Sequence, residues 1–320
     1  MNRTKTLIVS HAPFWHDGTG VPEQSYNTIL AALPAALAGI AYFGAPALGV
    51  ICLAISSAML WELLLNRAMR RSVTIGNGYA AVIGLLLAML LPASAPWWIV
   101  VLGTFLAVVI GVQIFGGIGA NAFNPVALAI AILSVSYTNQ LDFNSGLVNF
   151  SLAFPSSTDP LVALKAFGPA AIHNLSLVDL FLGKQVGGIG STCGLAILLG
   201  GIYLILRGFI RWEISLSFLF GVFITALLFN MADPSRFASP FFHLCTGYTM
   251  IGAFFLATET SSSPVHFIPM LIYGTLGGVM TVLIRNIGVY VDGVVFAVLV
   301  INLVNPLIDK IRPKAFGKAA

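Results

Sequence analysis

The chain has 320 residues, of which 58% are hydrophobic and 8% charged, and its mean hydropathy is +0.96. Soluble domains carry about 25% charged residues, so this composition excludes a water-soluble fold and makes lipid the natural solvent. A net charge of +4 does not signal nucleic-acid binding; it fits Lys and Arg gathered on one side of a membrane.

The first 25 residues are polar to mixed and show no apolar core followed by a small-residue cleavage site, so no signal peptide is expected. His11 and His16 bracket Phe14 and Trp15, a composition suited to a membrane interface. Ten apolar runs then follow, at about 27–43, 46–65, 75–91, 97–115, 120–135, 190–208, 213–230, 241–258, 266–284 and 290–308. Each is read as a span of about 20 residues. Glycine and proline interrupt several of them, notably IGNGYAAVIG before Pro92 and GGIGANAFNP at Pro125. Breaks of this kind persist in a membrane only where protein or a cavity satisfies the freed backbone groups.

A polar loop, 136–189, separates five spans from five, dividing the chain into 1–135, 136–189 and 190–320. With the N-terminus inside, Arg3, Lys5, Arg67, Arg70, Arg71, Arg207, Arg211 and the basic tail from Lys310 lie on one side. Lys165, Lys184, Arg236 and Arg285 lie on the other. This bias places both termini in the cytoplasm and the loop outside. The halves match weakly at an offset of 169: Gly78-Tyr79 with Gly247-Tyr248, Ala88 with Ala257, Ile118-Gly119 with Ile287-Gly288, and Gly39 with Gly208. Because five is odd, such a repeat is inverted, and its functional sites are expected near the broken helices.

Asn121 and Asn124, among glycines inside the membrane, suit either helix packing or contact with a flat ligand. Glu62, Glu213, Glu259, Arg285 and Asp292 fall at span ends, where solvation at an interface is the simplest explanation for most; Asp292, followed by a long apolar run, is the one that stands out for a role beyond capping. Cys52, Cys193 and Cys245 have no metal-ligand spacing and read as small buried hydrophobes. Gly187, Gly188 and Gly190 have the look of a phosphate-cradling run, but no strand precedes them.

Taken together, FGGIGANAFNP, GLLLAMLLP, GGIGSTCGLAILLGG, FFHLCTGYTMIGAFFLATETSSSPV and IRNIGVYVDGVVFAVLVINLVNPLID resemble the D subunit of the Rnf ion-translocating electron-transport complex. That subunit is related to the B subunit of the sodium-pumping NADH:quinone reductase. The resemblance implies an all-α polytopic membrane protein of about ten transmembrane helices in two inverted five-helix repeats, with broken helices, like urea channels. It also implies a place in the bacterial inner membrane, among the other Rnf subunits and membrane lipid, in a complex linking ferredoxin and NAD to sodium or proton movement. Family members carry FMN joined to a threonine in the loop before the sixth helix, and also riboflavin. In SSTDPL, Asp159 stands where that threonine is expected, so a covalent FMN is either on Thr158 or absent. Ser191 likewise stands where the family has a glutamate. Asn121 and Asn124 are candidate contacts for a flavin.

Overall fold

A computed structural model describes residues 20–143, 158–173 and 175–311. The His11–His16 segment, Ser156, Ser157 and the tail from Arg312 lie outside the described residues. Regular structure among the described residues is helical, without a strand, and the chain is an all-α polytopic membrane protein.

Four helices are long and apolar enough to cross a bilayer: α1 (Val21–Phe43), α2 (Ala45–Ala68), α9 (Trp212–Ala232) and α12 (Phe267–Ile287). Five apolar elements are shorter: α3 (Tyr79–Leu90), α4 (Trp97–Phe105, widening into a π-helix over Leu106–Gln113), α5 (Pro125–Ser136), α8 (Gly194–Leu206) and α13 (Val294–Ile308). The run at 241–258, expected as one span, is broken into α10 (Pro240–Cys245) and α11 (Thr249–Ile251, continuing as a π-helix to Leu256). Two short helices, α6 (Pro160–Phe167) and α7 (Leu177–Leu182), belong to the loop. Proline opens α1, α2, α5, α6 and α10, where its missing N–H costs nothing and its fixed φ favours the first turn.

The two broken half-helices form the centre. All of α3 except Tyr79 and Ala81 is buried, as is every residue of the π-helix at 252–256. A helix apolar on every side belongs inside other helices. The long helices wrap this centre and keep a wide apolar face outward, toward lipid. In the second half α9 and α12 pack closely. A side chain at Gly278 would lie 2.5 Å from the Val222 amide nitrogen, and one at Gly274 would lie 2.6 Å from the Ile214 carbonyl.

The inverted repeat is present in the backbone. Gly78 and Gly247, 169 apart, both adopt left-handed conformations (φ 69° and 63°), and a half-helix starts after each. The same offset carries the first residue of α5, Pro125, onto that of α13, Val294. The hydroxyl of Tyr248 donates to the Leu90 carbonyl at 2.7 Å, and that of Tyr79 donates to Glu259 at 3.4 Å. Adding 169 to 79 and 90 gives 248 and 259, so the two bonds are images of each other. The half-helices therefore lie side by side and antiparallel, the start of each tied to the end of the other. Two of the four expected matches fail: Gly39 is inside α1 against the Ile189 backbone, whereas Gly208 ends α8 with φ 75°, and Gly119 lies in a turn with φ 87°, whereas Gly288 caps α12 with φ −73°.

Candidate functional site

Two cavities flank the paired half-helices, one at each end. Tyr79 lines one and Tyr248 the other, and Val126 and Val295, also 169 apart, repeat the pattern. α3 joins the two ends over 12 residues, about 18 Å at 1.5 Å per residue.

The larger cavity, about 570 Å³, opens under the loop. Its walls include four aromatic rings, Phe143, Tyr248, Tyr290 and Phe296. Tyr290 and Phe296 stack at 4.2 Å with a 30° tilt, and Phe143 meets Tyr248 edge-on at 6.3 Å. Gly187, Gly188, Ser191 and Thr192 form another wall. The glycine run is not a free phosphate cradle. Ile189 N–H donates to Leu91 O, and the N–H groups of Gly190 and Ser191 donate to Met89 O. The run thus satisfies the carbonyls left open at the end of α3. The Thr192 hydroxyl is buried and has no partner among the described residues.

Beneath this cavity sits an ion pair. Arg285 Nε and Nη2 donate to Asp292 Oδ1 at 3.2 and 3.0 Å, while Nη1 and Nη2 donate to the carbonyls of His243 and Thr246. The other carboxylate oxygen accepts the Tyr248 N–H at 2.6 Å, and Oδ1 also accepts the Val294 N–H at the start of α13. One buried pair thus holds the α10–α11 break and the ends of α12 and α13. Glu62, Glu213 and Arg285 are buried, so the expectation that charges at span ends are solvated is corrected for these three. Arg285 is compensated by Asp292, and Glu62 accepts a bond from the Thr74 hydroxyl. For Glu213 Oε2 no partner exists among the described residues.

Asp159 is buried and lines the cavity; its carboxylate caps α6 by accepting the Leu161 N–H at 2.8 Å. Burial pushes this carboxyl up to about 7, the nearby Asp292 adds to the rise, and the Leu161 N–H and Arg285 oppose it. Thr158 is the residue just before this cap, half-buried and outside the described lining. Lys165 donates to the carbonyls of Gly288 and Tyr290, both at 2.6 Å, clamping α6 onto the α12–α13 turn.

The smaller cavity, about 240 Å³, lies at the opposite end of α3 among Ser25, Thr28, Tyr79, Phe254, Phe255 and Glu259. Glu259 accepts from five donors: the Tyr79 hydroxyl, Asn121 Nδ2, the Ser261 hydroxyl, and the Ser262 N–H and hydroxyl. Asn124 lines this cavity, but its side chain is committed to structure: Oδ1 caps α5 and Nδ2 donates to Leu256 O. Asn121 lies behind the wall, and its Oδ1 is buried without a partner among the described residues. Of the three candidate residues, only Asn124 lines a cavity, and it is not the one beside Asp159. Sequence reading missed the aromatic walls and gave Tyr79, Tyr248 and Glu259 no place in a cavity; it noted the tyrosines only in the repeated Gly-Tyr pair and Glu259 only as a span-end charge.

A family model, described as the NQR2, RnfD, RnfE family, matches residues 8–317. The chain belongs to this family. It is 33% identical to the D subunit of the ion-translocating oxidoreductase complex of Escherichia coli O7:K1, over 97% of this chain and 98% of that one. The same identity and coverage relate it to the D subunit of the ion-translocating oxidoreductase complex of Pectobacterium atrosepticum. It is 34% identical to the D subunit of the Na(+)-translocating ferredoxin:NAD(+) oxidoreductase complex of Acetobacterium woodii, over 95% of this chain and 93% of that one. As a member of the NQR2, RnfD, RnfE family, the chain has relatives that match it nearly from end to end, so the loop and both cavities fall within the shared length.

Proposed function

We propose that this chain is the membrane subunit of an Rnf-type ion-translocating electron-transport complex, works with the other subunits, and relays electrons through flavin held in its two cavities. The cation moved is sodium or a proton, and both termini face the cytoplasm of a bacterial inner membrane. The family membership and the relatives' names support the complex. The observation that carries the relay is the pair of cavities at opposite ends of α3, the one at the loop side walled by four aromatic rings. A cavity of 570 Å³ is in the range of small-molecule sites, and stacked and edge-on rings suit a flat aromatic guest. A bound flavin supplies the redox chemistry; the protein sets its place and its surroundings. Tyr248 and the Asp292–Arg285 pair brace one wall.

The rival is a channel or scaffold without flavin. The chain purified with its partner subunits should be yellow and should bleach when dithionite is added. A colourless preparation that still assembles with its partners overturns the relay.

A further inference from the structure

The C-terminal end of α2 carries three exposed arginines, Arg67, Arg70 and Arg71. None of them pairs with a carboxylate among the described residues, and the one hydrogen bond from their guanidinium groups runs from Arg71 Nη1 to the Gly116 carbonyl at 3.4 Å. By contrast Arg207, Arg285 and Lys184 each pair with a carboxylate, and Lys165 binds two carbonyls.

Arg70 is the member that decides. The described residues with positive φ are all glycines except Arg70, at 53°. Its N–H donates to Arg67 O and the Arg71 N–H donates to Asn66 O, the pair of bonds that ends a helix through a left-handed residue. Glycine is the usual occupant of that position, because a Cβ strains the conformation. A cation needed only to fix topology, or to face the carbonyl end of the helix, does that work at a neighbouring position free of strain. The strain therefore marks a guanidinium held in place for a partner.

The surface leading to the arginines is apolar. Leu60 and Leu64, both exposed, precede Arg67 at helical spacing on one outward face of α2. Ile114 and Phe115, beside the carbonyl that Arg71 holds, are exposed too. Cations at the head of an apolar stripe match an anionic amphiphile, and guanidinium groups bind phosphate oxygens through paired N–H donors. An acidic protein segment matches the charges and leaves the stripe unexplained. We propose that Arg67, Arg70 and Arg71 bind the phosphodiester headgroup of an anionic phospholipid whose acyl chains lie along Leu60 and Leu64. The site adjoins the smaller cavity, since the turn that Arg71 holds continues into Ile118 and Gly119 of its wall.

For the test, the chain in complex with its partner subunits is stripped of lipid in neutral detergent. It is then titrated with phosphatidylglycerol or phosphatidylcholine, and bound lipid is counted by native mass spectrometry. Phosphatidylglycerol should be preferred by roughly tenfold or more at low salt, and less as salt rises. The triple variant Arg67→Gln/Arg70→Gln/Arg71→Gln should bring the two lipids within about threefold of each other. Arg211→Gln, which removes an exposed cation at the start of α9, should leave the preference unchanged. Arg70→Gly separates binding from folding, and serves if the triple variant does not fold. It relieves the left-handed strain, so the lipid-free complex should unfold at the same or a higher temperature, while the preference falls about fivefold. No preference in the parent, an unchanged preference in the triple variant or in Arg70→Gly, or an equal loss in Arg211→Gln overturns the inference. Displacement of the lipid by equimolar inorganic phosphate makes a free anion the ligand and overturns it as well. Loss of a partner subunit from the triple variant with lipid preference intact assigns the arginines to an acidic protein instead.

Discussion

Gly78 and Gly247 occupy the same place in the two repeats, yet their surroundings differ sharply. Around Gly78 the nearest atom to an added side chain would be Ser25 Cβ, at 3.4 Å. Around Gly247 the Asp292 carboxylate, Leu161 and the Arg285 guanidinium already fill that space. The first break is held by backbone conformation and by a few hydrogen bonds to the turn before it, such as that from the Tyr26 hydroxyl to the Gly76 carbonyl, with room left beside the glycine. The second is held by conformation, an ion pair and a helix of the loop. The same contrast separates the tyrosines: Tyr248 meets a buried carbonyl with no slack, while Tyr79 is one of five donors to Glu259. Duplication supplied one frame, and the loop converted one of its ends into a rigid, aromatic and acidic cavity.

The most severe way to break the contrast is Arg285→Met. It leaves the Asp292 charge without its cation in the interior, a loss of about 3–5 kcal/mol. Thermal unfolding of the detergent-solubilised chain should show it, and adding Asp292→Asn should recover part. An Arg285→Met chain as stable as the parent would remove the ion pair from the account. Alanine at the two glycines sharpens the comparison. At Gly78 the left-handed conformation alone costs about 1–2 kcal/mol. At Gly247 overpacking adds about 1–3 kcal/mol, so the two substitutions should be separable by unfolding; equal losses would mean that the ends are held alike. The smallest effects belong to the hydroxyls. Tyr248→Phe leaves the Leu90 carbonyl short of a partner, worth about 1–3 kcal/mol, whereas Tyr79→Phe should cost under about 1 kcal/mol. Hydrogen exchange at the end of α3 would register the first and not the second.

Much of this architecture was legible in the chain. Composition sufficed for the membrane class, the positions of glycine and proline for the broken helices, and the repeated Gly-Tyr for the inverted halves, because a left-handed start is a local need that leaves a local mark. What was not legible depends on distant partners. Glu62, Glu213 and Arg285 looked like interfacial charges because nothing near them in sequence announces burial. Gly39 and Gly208 matched in letter, but one serves close packing and the other a helix end. Gly187, Gly188 and Gly190 looked ready for phosphate because the true partners of the run's Ile189, Gly190 and Ser191 N–H groups, the carbonyls of Met89 and Leu91, are about a hundred residues away. Asp159 was visible as a departure from the family motif, while its place inside a cavity beside Asp292 required the fold.

The reciprocal tie between the half-helices bears on how the chain is made. A ribosome that has delivered only the first five spans has produced an element whose final carbonyls, at Met89, Leu90 and Leu91, still lack their partners. Those partners arrive with residues 189–191 and then Tyr248, well into the second repeat. Insertion of the first half must therefore be provisional, and maturation of the polypeptide is a single late event in which each half supplies the finishing groups of the other.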